Sequence, residues 1–91
     1  MMKVTHKFHV QGICPVDNSA DHYEVEVILF TDDPNYKTPL AIETMLAVCQ
    51  DLLSEPCFQE LFTHQLAALL QAKVTTWCRH STGVATTCVC E

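Results

Sequence analysis

Apolar and polar residues alternate at both ends of this chain, and this period of two constrains the fold more than any other feature. The alternating runs cover residues 3–10, 22–31, 73–80 and 84–90. Successive side chains on a strand point to opposite faces, so each run predicts a half-buried β-strand. The last two runs flank a turn at Ser81–Gly83 and predict a hairpin. The expected inward face of the first two strands consists of Val4, His6, Phe8, Val10, Tyr23, Val25, Val27 and Leu29.

Two stretches between these strands have the three- and four-residue apolar spacing of amphipathic helices. Thr38 as N-cap and Pro39 at the first helical position begin the first helix, which should end near Leu53. The second helix is predicted from about Pro56 to Gln71. The predicted buried stripes are Ile42, Met45, Leu46, Cys49, Leu52 and Leu53, then Phe58, Leu61, Phe62, Leu66, Leu69 and Leu70. The residues expected largely off the second stripe are Gln59, Glu60, Thr63 and His64.

The predicted order is therefore β-β-α-α-β-β, in one α+β domain over residues 1–91. Two hairpins and two central helices favour a four-stranded antiparallel sheet with both helices on one face. Such a sheet leaves two edge strands with unpaired backbone groups, which proteins usually cover or pair. We expect subunits to join edge to edge in a ring, so that their sheets continue into an oligomeric barrel.

Length and charge narrow the class of protein. A chain of 91 residues with 48% hydrophobic residues is small for its apolar content, which favours oligomerisation. The net charge of −6 argues against a protein that binds nucleic acid through a basic patch. No apolar run approaches the roughly 18 residues of a membrane span, and no apolar segment follows the N-terminus as in a signal peptide. We expect a cytoplasmic protein without membrane partners.

The six cysteines are expected to be reduced, because disulfides are rare in the cytoplasm. Cys49 lies on a helical apolar stripe and is predicted to be core. Cys78 and His80 are possible zinc ligands, together with Cys88 and Cys90. A hairpin turning at Ser81–Gly83 nevertheless places Cys88 and Cys90 opposite residues 72–76, away from Cys78. A catalytic zinc bound by Cys14 and histidines is a further possibility, but no metal site is predicted.

The loop Gly12–Asp21, between the first two strands, contains the residues best suited to chemistry. A cysteine thiolate is a nucleophile, and a neighbouring carboxylic acid donates a proton, so Cys14 and Asp21 are candidate catalytic residues. The alternative is a buried, inert cysteine with Asp17 and Asp21 as turn residues.

Two further polar residues lie where they would be useful to such a site. His22 directly follows Asp21 at the end of the loop. Glu60 lies in the first turns of the second helix, where it is either a solvated acid that suits the helix dipole or an anchor for a ligand.

Three motifs resemble the tunnelling-fold enzymes, a group that includes GTP cyclohydrolase I and the pterin synthases. Cys14-Pro15 followed by Asp21 and Phe58-Gln59-Glu60 at the second helix resemble 7-cyano-7-deazaguanine nitrile reductase. The glycine turn of His80–Val84 fits the closing hairpin of that family. Leu40–Glu43 resembles the first helix of its short relative, the archaeosine-forming amidinotransferase. The resemblance covers about Gly12 to Val89.

The resemblance implies specific roles for these residues. Cys14 would attack the nitrile carbon of a deazapurine to form a covalent thioimide, and Asp21 would protonate the nitrile nitrogen. Glu60 would bind the purine edge through charge-assisted hydrogen bonds. Gln59, which stands where the family has histidine, and His22 complete the expected substrate-binding set. In this fold the site lies between subunits, so the resemblance allows Cys14 and Glu60 to come from different chains of a homo-oligomer.

The first helix departs from the reductase pattern. Residues 41–46, Ala-Ile-Glu-Thr-Met-Leu, lack the lysine and the leading glutamate of the NADPH motif, so we predict no cofactor. The expected function is amidine formation or a similar transfer from the thioimide, on 7-cyano-7-deazaguanine or a related purine or pterin. The alternatives are a metal-dependent enzyme of the GTP cyclohydrolase or pterin type, and a non-catalytic purine-binding oligomer.

Overall fold

A computed structural model describes all residues, 1–91, as four strands and two helices in the predicted order. Strands β1 (Met2–Ile13) and β2 (Ala20–Thr31) form a long hairpin. Helices α1 (Thr38–Leu52) and α2 (Gln59–Leu70) follow, and β3 (Lys73–Arg79) and β4 (Ala85–Cys90) form a second hairpin.

The four strands form one antiparallel sheet in the order β1-β2-β3-β4, with β1 and β4 at its edges. The central pair β2–β3 joins the two hairpins, with Tyr23 opposite Cys78 and Val27 opposite Val74. Both helices pack on one face of the sheet, where α1 contacts β1 and α2 covers β3 and β4. The β-β-α-α-β-β architecture is therefore confirmed, and assembly of subunits into a ring stays a prediction.

Most element boundaries fall close to the predicted ones. Strand β1 is longer than expected and includes Gly12, so the loop that contains Cys14 is shorter than the predicted Gly12–Asp21. Helix α1 includes Thr38, and Lys37 is its N-cap without a side-chain hydrogen bond, so the prediction of Thr38 as N-cap is wrong. Helix α2 begins only at Gln59, because Phe58 still has extended backbone.

The core lies between the sheet and the inner faces of both helices. Strand alternation is confirmed, since Tyr23, Val25 and Val27 are almost fully buried. Gly12 is buried as well, and a Cβ there would lie 3.0 Å from Leu53 Cδ2, so the absence of a side chain lets β1 approach the end of α1.

The predicted helix stripes are partly wrong. Ile42 and Leu46 are 41% and 42% exposed, because α1 turns Met45 and Cys49 inward instead, followed by its C-cap Leu53. The side chains of the second predicted stripe that were wrongly expected in the core, and are exposed, are Phe58, Leu61 and Leu69. Gln59 and Thr63 are buried in their place, although they were expected off the stripe. Neither helix is long and apolar enough to cross a membrane.

Candidate active site

Backbone hydrogen bonds hold Cys14 at the tip of the β1–β2 hairpin. Its N–H donates to the carbonyl of Ser19 at 2.8 Å, and its carbonyl accepts from the N–H of Asn18 at 2.9 Å. Asn18 has a φ of 59°, a left-handed conformation that asparagine tolerates better than most residues. The N–H of Cys57 donates to the carbonyl of Ile13 at 3.2 Å and ties this hairpin to the segment before α2. The half-buried thiol is thus presented by a well-held turn rather than by a free loop.

Asp17 connects this turn to the β3–β4 hairpin. Its carboxylate accepts hydrogen bonds from the backbone N–H and the hydroxyl of Ser19, at 3.0 and 2.6 Å, and from the hydroxyl of Ser81 at 2.7 Å. These hydrogen bonds, that of the Ser19 hydroxyl first, hold the pKa of the Asp17 carboxyl well below its usual range. The negative charge of Asp17, which lies close to Cys14 in the sequence, therefore holds the β1–β2 and β3–β4 turns together.

A cavity of about 220 Å³ lies beside the thiol. Its walls come from the β1–β2 turn, from β2, from the start of α2 and from the β3–β4 turn. The lining residues are Cys14, Pro15, Val16, Asp21, Phe58, Gln59, Glu60 and His80. The structure thus brings Cys14, Asp21, Gln59 and Glu60 together within one chain. Larger cavities beside α1 and at the far end of α2 contain none of these four residues.

Asp21 lies within β2 and points toward the helices, with only 4% of its surface exposed. Tyr23 and Cys78 lie near its carboxylate. Burial first, and then the charge of Asp21, raises the pKa of the Cys78 thiol to about 11. The same two causes raise the pKa of Tyr23, whose hydroxyl is buried without a hydrogen-bond partner.

Gln59 is 2% exposed and connects α2 to the second hairpin. Its Nε2 donates to the carbonyl of Thr76 at 3.2 Å and to that of Thr86 at 3.0 Å. Because both acceptors are carbonyls, the amide nitrogen must face them, and Oε1 is left buried without a partner. The Thr63 hydroxyl donates to the Gln59 carbonyl at 2.8 Å and lies 2.7 Å from the Thr76 hydroxyl. This network positions the cavity wall and leaves one free acceptor, Oε1.

Glu60 lies in the first turn of α2 and is exposed on the cavity wall. Negative charge suits this end of a helix, where backbone N–H groups lack helical partners. Its charge also contributes, after burial, to a raised pKa of the Cys88 thiol. Glu60 is free to accept hydrogen bonds from a ligand, since it takes part in no ion pair of the protein.

His22 does not join this group. Strand alternation turns it away from Asp21, and it lines a different cavity with His9, Glu24 and Trp77 on the outer face of the sheet. Adjacency to Asp21 therefore does not bring His22 to this cavity within one chain, and its substrate-binding role stays a prediction. Sequence reasoning missed His80 as a lining residue, and the signal available was its position at the glycine turn that closes the second hairpin.

The possible zinc ligands Cys78 and His80 lie away from Cys88 and Cys90, as the predicted hairpin register requires. Cys88 pairs with Thr76 and Cys90 with Val74, while Cys78 pairs with Thr86. Cys78 and His80 instead lie together with Asp21, and the potential ligand atoms of these three residues are all within 4.8 Å of one another.

Comparison with known proteins identifies the architecture. No protein-family model matches this sequence. No curated protein matches it. Among solved structures, the crystal structure of the archaeosine synthase QueF-Like in the apo form matches with a TM-score of 0.74 and 18% identity. The match covers 97% of this chain and 90% of that chain.

The chain has the tunnelling fold. The fold inferred from the motifs is confirmed, since the match extends over nearly the whole chain. At 18% identity the likeness concerns architecture, and the activity in that protein's name belongs to that protein.

Proposed function

We propose that the cavity binds 7-cyano-7-deazaguanine or a related purine nitrile, and that Cys14 forms a covalent thioimide with it. The observation that carries the proposal is the convergence of Cys14, Asp21, Gln59 and Glu60 on one small cavity of a tunnelling-fold chain. Its volume, about 220 Å³, is below the roughly 300–1,000 Å³ of pockets for drug-sized ligands and suits a single flat base.

The covalent step needs a nucleophile and a proton donor on the same side of the ligand. The Cys14 sulfur forms a bond to the nitrile carbon, and the carbon–nitrogen triple bond becomes a double bond. Asp21 supplies a proton to the nitrile nitrogen and recovers one from the reacting thiol, so no atom leaves. Both residues line the cavity, and the hydrogen-bonded turn restricts the movement of the thiol.

Recognition of the base would fall to the start of α2. The Glu60 carboxylate is suited to accept from a ring N–H and an exocyclic amine, which is a bidentate, charge-assisted contact. The free Oε1 of Gln59 offers one more acceptor, whose direction is set by the two carbonyls that bind the amide nitrogen. A purine edge with several N–H donors satisfies both groups.

The second half of the reaction is proposed to be amidine formation rather than reduction. Ammonia adds to the thioimide carbon, the carbon–sulfur bond breaks, and the Cys14 thiol is regenerated. Residues 41–46 supply no cation for the phosphates of NADPH. The net charge of −6 favours a free base over one carried by nucleic acid.

Intact-mass spectrometry after incubation with 7-cyano-7-deazaguanine tests the proposal. We expect the protein mass to increase by the full mass of the nitrile, because the addition loses no atoms. The increase should disappear in Cys14→Ala and remain in Cys90→Ala, a matched control at another half-buried cysteine. Asp21→Asn should slow adduct formation on the order of 10²-fold or more, the usual contribution of a positioned proton donor.

Two results would contradict the thioimide. One is an unmodified mass at millimolar nitrile with Cys14 reduced. The other is an adduct that survives in Cys14→Ala. Binding of the base by calorimetry without any adduct would favour the non-catalytic purine-binding alternative.

A further inference from the structure

We propose that Asp21, Cys78 and His80 form a binding site for one zinc ion at the wall of the cavity. Their potential ligand atoms all lie within 4.8 Å of one another. Tetrahedral zinc with bonds of about 2.0–2.3 Å requires ligand atoms roughly 3.3–3.8 Å apart. Side-chain adjustments of about 1 Å therefore suffice to close the site around an ion.

The strand register explains why these residues meet. Tyr23 pairs with Cys78, so continuation of the same ladder sets Asp21 opposite His80. Alternation turns Asp21, Cys78 and His80 to the helix side of the sheet, with Cys78 diagonal to Asp21. Asp21 and Cys78 thus come from two neighbouring strands, and His80 directly follows β3, where its N–H donates to the carbonyl of Val84 at 2.9 Å.

The environment of Asp21 supplies an independent reason to expect a cation. Asp21 is 4% exposed, yet it takes part in none of the protein's ion pairs. It accepts no hydrogen bond of normal length, in contrast to Asp17, although the Tyr23 hydroxyl and the Cys78 thiol both lie near it. Buried carboxylates are normally paired, hydrogen-bonded or bound to a metal. Here a thiol and an imidazole lie within 4.8 Å of the carboxylate, and the three side chains together form a ligand set.

The ligand chemistry favours zinc over the hard cations. One sulfur, one nitrogen and one oxygen suit zinc, whereas magnesium and calcium select oxygen ligands alone. Binding replaces the proton of the Cys78 thiol, which is released to solvent. It also engages the Asp21 carboxylate, so the zinc-bound form and the form in which Asp21 donates a proton to a nitrile exclude each other. Asp21 and His80 line the cavity while Cys78 lies behind them, so the fourth coordination position faces the cavity. Three protein ligands with one open position are characteristic of accessible zinc sites.

Metal titration of chelator-treated full-length protein tests the site without reference to nitrile chemistry. We expect one equivalent of Zn²⁺ to bind, measured by competition with a chromophoric chelator. Co²⁺ in its place should show the visible bands of a tetrahedral ion and a thiolate-to-cobalt charge-transfer band. The charge-transfer band should vanish in Cys78→Ser. The affinity should fall at least 10-fold in Asp21→Asn and in His80→Gln, since loss of outer partners alone costs 10–100-fold.

Matched controls use donors elsewhere in the fold. Cys90→Ser and His64→Gln alter a Cys–His pair 3.9 Å apart at the other end of the sheet and should leave affinity and spectrum unchanged. His80→Gln, at a half-exposed turn position, keeps the test valid if Asp21→Asn fails to fold. Absence of stoichiometric zinc, a charge-transfer band that persists in Cys78→Ser, or a greater loss in Cys90→Ser than in Cys78→Ser would overturn the site.

Discussion

Gln59 combines a structural and a ligand-facing role in one side chain. Its amide nitrogen binds two backbone carbonyls on adjacent strands, and its amide oxygen is left for a ligand. In the nitrile reductases that this motif resembles, histidine stands at the position of Gln59. A histidine is expected to distribute donors and acceptors differently there. Gln59 therefore matters for how α2 is attached to the sheet as much as for how a base would be bound.

Replacement of Gln59 by leucine should destabilise the fold. Gln59→Leu leaves the Thr76 and Thr86 carbonyls without their side-chain donor, and each under-satisfied buried group costs about 1–3 kcal/mol. The measurement is the free energy of unfolding in urea. Gln65→Leu makes the same chemical change at an exposed site of the same helix and should stay within about 0.5 kcal/mol of the parent chain. Equal stability of the two variants would show that the network contributes nothing.

The burial of Gln59 and Thr63 illustrates what sequence could not supply at the residue scale. Apolar periodicity assigns polar residues to the solvent, and here a hydrogen-bonded chain through Thr76 makes their burial favourable. The partner lies 17 residues away on a strand whose register the sequence does not give. Cys14, Asp21 and Glu60 could be proposed from sequence because short motifs carry them, whereas the placement of His80 depends on pairing between distant strands.

At the scale of elements, one carboxylate joins the turns of the two hairpins, which are otherwise connected by the β2–β3 ladder. Asp17 joins the turn that holds Cys14 to Ser81 in the turn that holds His80, so both walls of the cavity are connected. The pKa of Asp17 is lower in the folded protein than in the unfolded chain. The contribution of its hydrogen bonds to folding stability is therefore fully present above the usual aspartate pKa of about 3.9. It is lost as the pH falls toward the lower folded value.

Asp17→Ala should loosen both turns and leave the core intact. We expect faster amide hydrogen exchange at Ser19, whose N–H donates to Asp17, and around residues 80–84, measured by mass spectrometry near neutral pH. Asp33→Ala removes a similar contact, the hydrogen bond from the Asn35 N–H at 2.8 Å, in a loop remote from the cavity. That control should change exchange only near its own turn. Unchanged exchange at residues 80–84 in Asp17→Ala would show that the Ser81 hydrogen bond does not couple the hairpins.

Strands were predicted more accurately than helices for a physical reason. A half-buried strand has one buried face by geometry, so alternation alone assigns Tyr23, Val25 and Val27. A helix on a small sheet buries only a narrow stripe, and both α1 and α2 have more apolar residues than that stripe holds. Which of Met45 and Leu46 turns inward depends on the orientation of the helix on the sheet, which the sequence does not specify.

At the scale of the whole molecule, assembly of several copies would explain both the exposed apolar side chains of the helices and the unpaired edges of the sheet. Large apolar side chains are exposed on the helices at Leu40, Ile42, Leu46, Leu61 and Leu69. Strands β1 and β4 each present an unpaired edge, and proteins commonly pair or cover such edges. We propose that copies of this chain pair edge to edge in a ring, where the apolar helix surfaces meet and a neighbouring subunit completes the cavity.

A proline placed on the free edge of β4 tests this assembly. The backbone N–H of His80 donates to the Val84 carbonyl at 2.9 Å, so these two residues form a hydrogen-bonded pair. Hydrogen-bonded and non-hydrogen-bonded pairs alternate along an antiparallel ladder, and the next hydrogen-bonded pair is Cys78–Thr86. Thr87, opposite Trp77, therefore directs its N–H outward, and proline is tolerated at such an edge position. Thr87→Pro should fold with unchanged circular dichroism but lower oligomer mass by light scattering, while Thr87→Ala, which keeps the N–H, should retain the assembly. A parent chain that is monomeric at all concentrations contradicts the ring, and a Thr87→Pro oligomer of full size excludes β4 as the joining edge.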